Sequence, residues 1–135
     1  MPSPRQLRVF VVDDEAIIAS TLAEILRRTG FDAVSFYAPL DALEAAKTHA
    51  PDLLISDVVM PQLSGIELAL RIQALCPNCK VLLFSGQAAT SAMLQAARED
   101  GHDFELLLKP VHPTDLLKKI ADATRQDPPV PFATN

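Results

Sequence analysis

The sequence predicts an open α/β fold: one parallel sheet covered by helices on both faces. Two observations carry this. Five short apolar runs, Leu7–Val12, Phe31–Phe36, Leu53–Ser56, Val81–Phe84 and Phe104–Leu108, are mostly continuous rather than alternating, as strands buried on both faces are. Between and after them lie stretches with helical spacing. Five strand–helix units in succession require right-handed crossovers and hence parallel pairing. A chain of 135 residues has the length of one domain.

The first helix shows an apolar stripe of Ile18, Leu22, Ile25 and Leu26, with Gly30 as its stop. The second is expected from about Pro39 to Thr48, turning Leu40, Leu43 and Ala46 inward. Ser64 is placed to cap the third, and Glu67 completes a capping-box pattern. The fourth, about Ala88 to Glu99, is rich in alanine and is expected to pack loosely. The last contains Leu116, Leu117, Ile120 and Ala121, with Pro113 in its first turn. Three prolines and no periodicity from about Arg125 predict a disordered tail or the start of a linker. Residues 5–123 are therefore read as the domain and 124–135 as the tail, with no second domain following.

Composition narrows the function classes. About half the chain is apolar and the net charge is −5, with no Lys/Arg block, so direct nucleic-acid binding lacks an electrostatic basis. No apolar run reaches the roughly 18 residues that span a bilayer, and Met1-Pro2-Ser3-Pro4-Arg5 lacks the apolar core of a signal peptide. A cytoplasmic location is expected. Cys76 and Cys79 form one C-x-x-C pair, which cannot close a tetrahedral zinc site alone. It follows a helical stretch, where the dipole disfavours a thiolate, so a structural or incidental role is expected, with a redox-sensitive thiol pair as the alternative. His49, His102 and His112 lie in or beside loops and form no ligand cluster.

The chemistry collects at one end of the sheet. Asp13 and Asp14 follow the first strand, Asp57 the third, Ser85 the fourth and Lys109 the fifth. In a parallel sheet all strand carboxyl ends share one edge, where open α/β folds place ligands. Each residue alone has an ordinary explanation, such as a helix cap, a turn or a solvated side chain. Their coincidence on four strand ends does not. Three close carboxylates call for a cation, and magnesium takes one or two carboxylates while sharing a phosphate oxygen. A carboxylate can attack phosphorus to form an acyl phosphate, and Lys109, Ser85 and a metal would neutralise the transferring group.

Through Val11-Val12-Asp13-Asp14-Glu15, Asp57-Val58-Val59-Met60-Pro61 with Gly65, Ser85-Gly86 and Lys109-Pro110, the chain resembles the response-regulator receiver family from about Leu7 to Ala123. The resemblance implies a flavodoxin-like (CheY-like) three-layer sandwich, with a five-stranded sheet in the order 2-1-3-4-5 and five helices. It implies a bacterial two-component signalling protein, not an enzyme in the usual sense. Asp57 would be the phosphoacceptor, loaded by a sensor histidine kinase, a histidine phosphotransfer protein or a small donor. Magnesium or manganese would be bound by Asp14 directly, by Asp13 mainly through water, and by Asp57 and the Val59 backbone carbonyl. The Ser85 hydroxyl would move to the phosphoryl oxygen. Lys109 would be the lysine of the motif, its bond to Pro110 being cis. Phosphorylation would alter the face of the fourth helix, fifth strand and fifth helix, changing contact with a downstream protein or forming a homodimer. Kinase specificity would lie on the first helix and the loop after the fifth strand.

Three departures from the family pattern carry expectations of their own. Leu106 stands where an aromatic switch residue is common, and one extra residue lies between Gly101 and Lys109, so Phe104 is a candidate for part of that packing. Val59 and Gln87 occupy the positions that tune hydrolysis. Valine cannot orient an attacking water, whereas the Gln87 amide has the polar atoms to do so, and autodephosphorylation over many minutes or longer is expected. A stand-alone receiver is the first reading, and an N-terminal receiver fragment of a larger regulator with an output domain the second. A flavodoxin-like cofactor binder is disfavoured because Asp13-Asp14-Glu15 would repel a flavin phosphate. A phosphohydrolase with its nucleophile on the first strand is disfavoured because Glu15 replaces the second aspartate of Asp-x-Asp.

Overall fold

A computed structural model describes residues 6–86, 95, 98, 99, 101, 104–110 and 112–124. The elements run β1 (Arg8–Val12), α1 (Ala16–Arg28), β2 (Asp32–Phe36), α2 (Pro39–Ala46), β3 (Leu53–Asp57), α3 (Gly65–Leu75), β4 (Lys80–Ser85), β5 (Glu105–Leu108) and α4 (Pro113–Thr124). The strands are parallel, in the order β2-β1-β3-β4-β5. Four helices stand among the described residues. The expected helix from Ala88 to Glu99 lies largely outside them, and the tail from Arg125 entirely so.

The continuous apolar runs are explained by two cores, one on each face. Successive side chains of a strand point to opposite faces. Phe10, Val12 and Leu54 therefore join the core under α2 and α3, while Val9, Val11, Leu53 and Ile55 join the core under α1 and α4. Each fully buried Leu or Ile contributes roughly 1.5–3 kcal/mol, which makes the three central strands the rigid part of the molecule.

The register then aligns the chemistry. Val12 pairs with Ser56, Asp57 with Phe84, and Ser85 with Leu108. The residues at or just beyond these pairs share one edge. β3 and β4 each extend one residue beyond the apolar run, taking in Asp57 and Ser85 as their last residues.

Local signals act largely as their chemistry suggests. At the end of α1, Gly30 has φ 107°, its N–H bonds the Arg27 carbonyl, and Phe31 N–H bonds that of Leu26, a Schellman closure. Ser64 Oγ accepts from Glu67 N–H at 3.1 Å, while the Glu67 carboxylate lies 3.6 Å from Arg71. Three details differ from expectation. α2 stops at Ala46, and its inward stripe is Pro39, Ala42, Leu43 and Ala46, which leaves Leu40 out of the stripe and exposed. Ala121 is exposed, α4 burying Leu116 and Ile120 instead. β5 begins at Glu105, and Phe104 is buried in the core under α3 with Leu106 packed beside it. No helix among the described residues is long and apolar enough to cross a membrane.

Candidate functional site

Asp13 leaves β1 pinned by its own backbone, its N–H bonding the Phe36 carbonyl at 3.1 Å. Its side chain is fully buried. Oδ1 accepts the Glu15 N–H at 2.9 Å, whereas Oδ2 has no directed hydrogen bond. Asp14, next in the chain, is exposed.

Asp57 ends β3 almost fully buried. The loop that follows is held on both sides: Val58 N–H bonds the Phe84 carbonyl at 3.1 Å, and the Val58 carbonyl accepts Gly65 N–H at 2.8 Å. The buried Ser56 hydroxyl donates to the Asp57 carbonyl at 2.9 Å. Gly65 packs so closely that a Cβ there would overlap the Asp57 carbonyl oxygen. Glycine is required by this approach of α3 to the end of β3 rather than by its dihedral angles.

Lys109 follows β5, its N–H bonding the Ser85 carbonyl at 3.0 Å, with a cis bond to Pro110. Its ammonium lies 3.1 Å from Asp13 Oδ2, 3.3 Å from Asp57 Oδ2 and 3.3 Å from Glu15 Oε1. It also stands 5.2 Å from the centre of the Phe84 ring, within cation–π range.

The strand ends thus bring Asp13, Asp14, Asp57 and Lys109 together. One oxygen from each of the three aspartates falls within 4.8 Å of the others. Beside them opens a cleft of about 700 Å³ lined by Asp14, Glu15, Asp57, Val59, Gly86 and Lys109. Ser85 is buried at the end of β4, one residue before the cleft-lining Gly86. Gln87 lies outside the described residues.

The electrostatics show a site short of positive charge. Burial pushes the Asp13 carboxyl above its ordinary range, and the Asp57 charge adds to the rise, against the Glu15 N–H and Lys109. Burial likewise raises Asp57, helped by the Asp14 charge and opposed by Lys109. Burial alone would lower Lys109, but its contacts with Asp13 and Asp57 outweigh that and raise it. A lone ammonium does not offset the carboxylates around it. The three aspartates offer hard oxygen donors, one of them a buried oxygen with no directed hydrogen bond, and this set fits magnesium or manganese.

Two features escaped the sequence reading: the Glu15 contact with Lys109, and Phe84 beneath the ammonium. Glu15 was visible only as part of a motif, and its contact joins residues 94 apart. Burial raises the Cys76 thiol and, with Cys76 and Asp52 nearby, pushes Cys79 up to about 12, so neither is activated. His49 and His112 are exposed, and His102 lies outside the described residues.

Residues 9–121 match the response regulator receiver domain. The chain is 30% identical over 113 residues to the response regulator receiver protein CpdR of Brucella abortus, covering 84% of this chain and 92% of CpdR. To the transcriptional regulatory protein CreB of Escherichia coli it is 30% identical over 118 residues, covering 87% of this chain and 51% of CreB. The solved structure of the Vibrio cholerae chemotaxis protein CheY4 aligns with a TM-score of 0.77 at 26% identity, covering 88% of this chain and 99% of that one. With its sheet order, its aspartate cluster and this match over most of its length, the chain belongs to the response regulator receiver domain family of two-component systems.

Proposed function

We propose that the chain is a cytoplasmic, phosphorylation-controlled switch. Asp57 accepts a phosphoryl group from a sensor histidine kinase or a histidine phosphotransfer protein, and the change is read by a downstream protein. The observation that carries this reading is the setting of Asp57: nearly buried, 3.3 Å from the Lys109 ammonium, yet lining an open cleft. A donor can reach that carboxylate, and of the three carboxylates that line the cleft it is the one that both belongs to the aspartate cluster and contacts Lys109.

An Asp57 carboxylate oxygen attacks phosphorus, the phosphorus–nitrogen bond of the phosphohistidine breaks, and the departing imidazole keeps its electron pair and takes up a proton. Asp13, Asp14, Asp57 and the Val59 carbonyl are the groups that would hold magnesium or manganese, which when bound supplies positive charge against the phosphoryl oxygens. Lys109 offers its ammonium to the same oxygens, and the Ser85 hydroxyl is the group on β4 that would turn toward them. That movement biases two arrangements of the surface beyond β4. Val59 has no polar atom in its side chain to orient water, so the acyl phosphate is expected to last many minutes or longer.

Intact-protein mass after incubation with phosphoramidate, with and without magnesium, tests the reading. A magnesium-dependent gain of one phosphoryl group, absent in Asp57→Asn, supports it. A wild-type protein that gains nothing from phosphoramidate or from a phosphorylated histidine phosphotransfer protein overturns it.

A further inference from the structure

We infer that Glu15 is a positioning residue of the switch, a tether that holds the Lys109 ammonium in the unphosphorylated state and releases it when Asp57 is phosphorylated; this rests on the function proposed above. An ammonium carries three N–H groups and no acceptor, and three carboxylates surround this one. All three are ion pairs, Asp13 at 3.1 Å, Asp57 at 3.3 Å and Glu15 Oε1 at 3.3 Å, and the last is a hydrogen bond at the exposed rim of the site. A phosphoryl oxygen on Asp57 brings a fourth claimant, so one existing contact must yield.

The surroundings decide which one. Asp13 Oδ2 is fully buried, where water cannot replace the ammonium, so losing that contact costs more than losing one at the surface even when the aspartates hold a cation. Asp57 carries the new group and keeps its place. The Glu15 side chain is 63% exposed, and water can take over its carboxylate at small cost. Glu15 is also free to act in this way because its side chain does no structural work at the start of α1. It occupies the N-cap position but makes no side-chain cap hydrogen bond. Its structural bonds run through its backbone: the N–H donates to Asp13 Oδ1, and the carbonyl accepts the N–H groups of Ile18 and Ala19.

The tether competes with the phosphoryl group for Lys109, so cutting it should favour the phosphorylated arrangement. An exposed ion pair of this kind corresponds to about a two- to five-fold change in equilibrium. The test measures affinity for beryllofluoride, a stand-in for the phosphoryl group, at saturating magnesium in wild type, Glu15→Gln and Glu15→Asp. Glu15→Asp keeps the charge but is one methylene too short for the contact. Tethering predicts that both variants bind two- to five-fold more tightly than wild type, and that the difference shrinks at high salt as the wild-type pair is screened. It also predicts that the Glu15 carboxyl carbon resonance shifts on beryllofluoride binding in wild type. Equal affinity in all three proteins overturns the tether. So does tighter binding by Glu15→Gln alone, which would reveal simple repulsion of the anion by Glu15. Failure of the function itself is distinct: there the wild-type protein neither gains a phosphoryl group nor binds beryllofluoride.

Discussion

Replacing Gly65 by alanine probes the joint between fold and site. The added methyl carbon would overlap the Asp57 carbonyl oxygen and lie 2.9 Å from its carbonyl carbon and 3.0 Å from Ser56 Oγ. Carbon contacts normally settle at roughly 3.5–4.0 Å, so α3 or the end of β3 must move by about 1 Å. Neither moves freely, because Gly65 N–H is bonded to Val58 at 2.8 Å and Val58 N–H to Phe84 at 3.1 Å. Overpacking against backbone costs about 1–3 kcal/mol, which lowers Tm by roughly 4–12 °C in a domain of this size. The displaced backbone is that of Asp57, so the rate of phosphoryl gain should fall at least about tenfold, since misplacement by 1 Å can cost about a hundredfold. Gly30→Ala is the comparator. Its φ of 107° makes alanine strained, but nothing lies within 4 Å of the added atom. It should lose about 1–2 kcal/mol and keep its phosphorylation rate. Thermal melts and timed intact-mass measurements on both variants decide the matter. A Gly65→Ala protein with wild-type Tm and rate would refute the close-packing argument.

The remaining predictions concern charge, capping and thiols. Asp13 has its carboxyl raised in the folded state, so its ionisation opposes folding: the penalty is absent well below 3.8 and grows as pH rises through the raised value. Asp13→Asn should therefore be more stable than wild type without divalent cations at neutral pH, by about 1–3 kcal/mol, given repulsion of at least roughly 3.5 kcal/mol between carboxylate oxygens within 4.8 Å of one another. The advantage should vanish at acid pH and shrink with magnesium, and a lower Tm in metal-free buffer at neutral pH would count against it. Ser64→Ala removes the 3.1 Å cap of α3 and should cost about 1 kcal/mol in urea denaturation, and no change in midpoint would deny the cap its role. Cys79, buried with its thiol pushed up to about 12, should stay unreactive toward a disulfide reagent at pH 8 until the protein unfolds; rapid modification of both thiols in the native protein would contradict its burial.

Much of the fold was legible because the signal lay in apolar continuity. A strand covered on both faces must be apolar through its covered stretch, and Val9–Val12 of β1 and Leu53–Ile55 of β3 are. The edges were harder to read, because pairing ends where hydrogen bonds end rather than where hydrophobicity ends. Asp57 still pairs with Phe84, and Ser85 with Leu108, so both polar residues belong to strands. In α2, Leu40 resembles a core residue, but the eight-residue helix is oriented by Pro39, Ala42 and Ala46. The site was legible to the extent that topology dictates it: any parallel sheet gathers Asp13, Asp57 and Lys109 at one edge. Glu15 was not, because its contact depends on the reach of two side chains, which no spacing in the sequence encodes.

Charge accounting gives the site an order of events. With ordinary charges, Asp13, Asp14, Glu15 and Asp57 contribute −4 and Lys109 contributes +1, leaving −3 around the cleft. A divalent cation brings this to −1. Conversion of the Asp57 carboxylate into an acyl phosphate of about −2 then takes it to about −2 with the metal, and to about −4 without. An anionic donor approaching the bare cleft meets repulsion from carboxylates that burial has already made costly to ionise. The central strands can hold such a cluster together because their side chains are almost wholly apolar and closed to water. Stability supplied by that core is what permits a site that would relax if it were free to move. It follows that metal should bind before donor, and that the apparent magnesium affinity should rise with the concentration of an anionic donor. A strict requirement for donor before metal would show that some other group, not the cation, offsets the cluster.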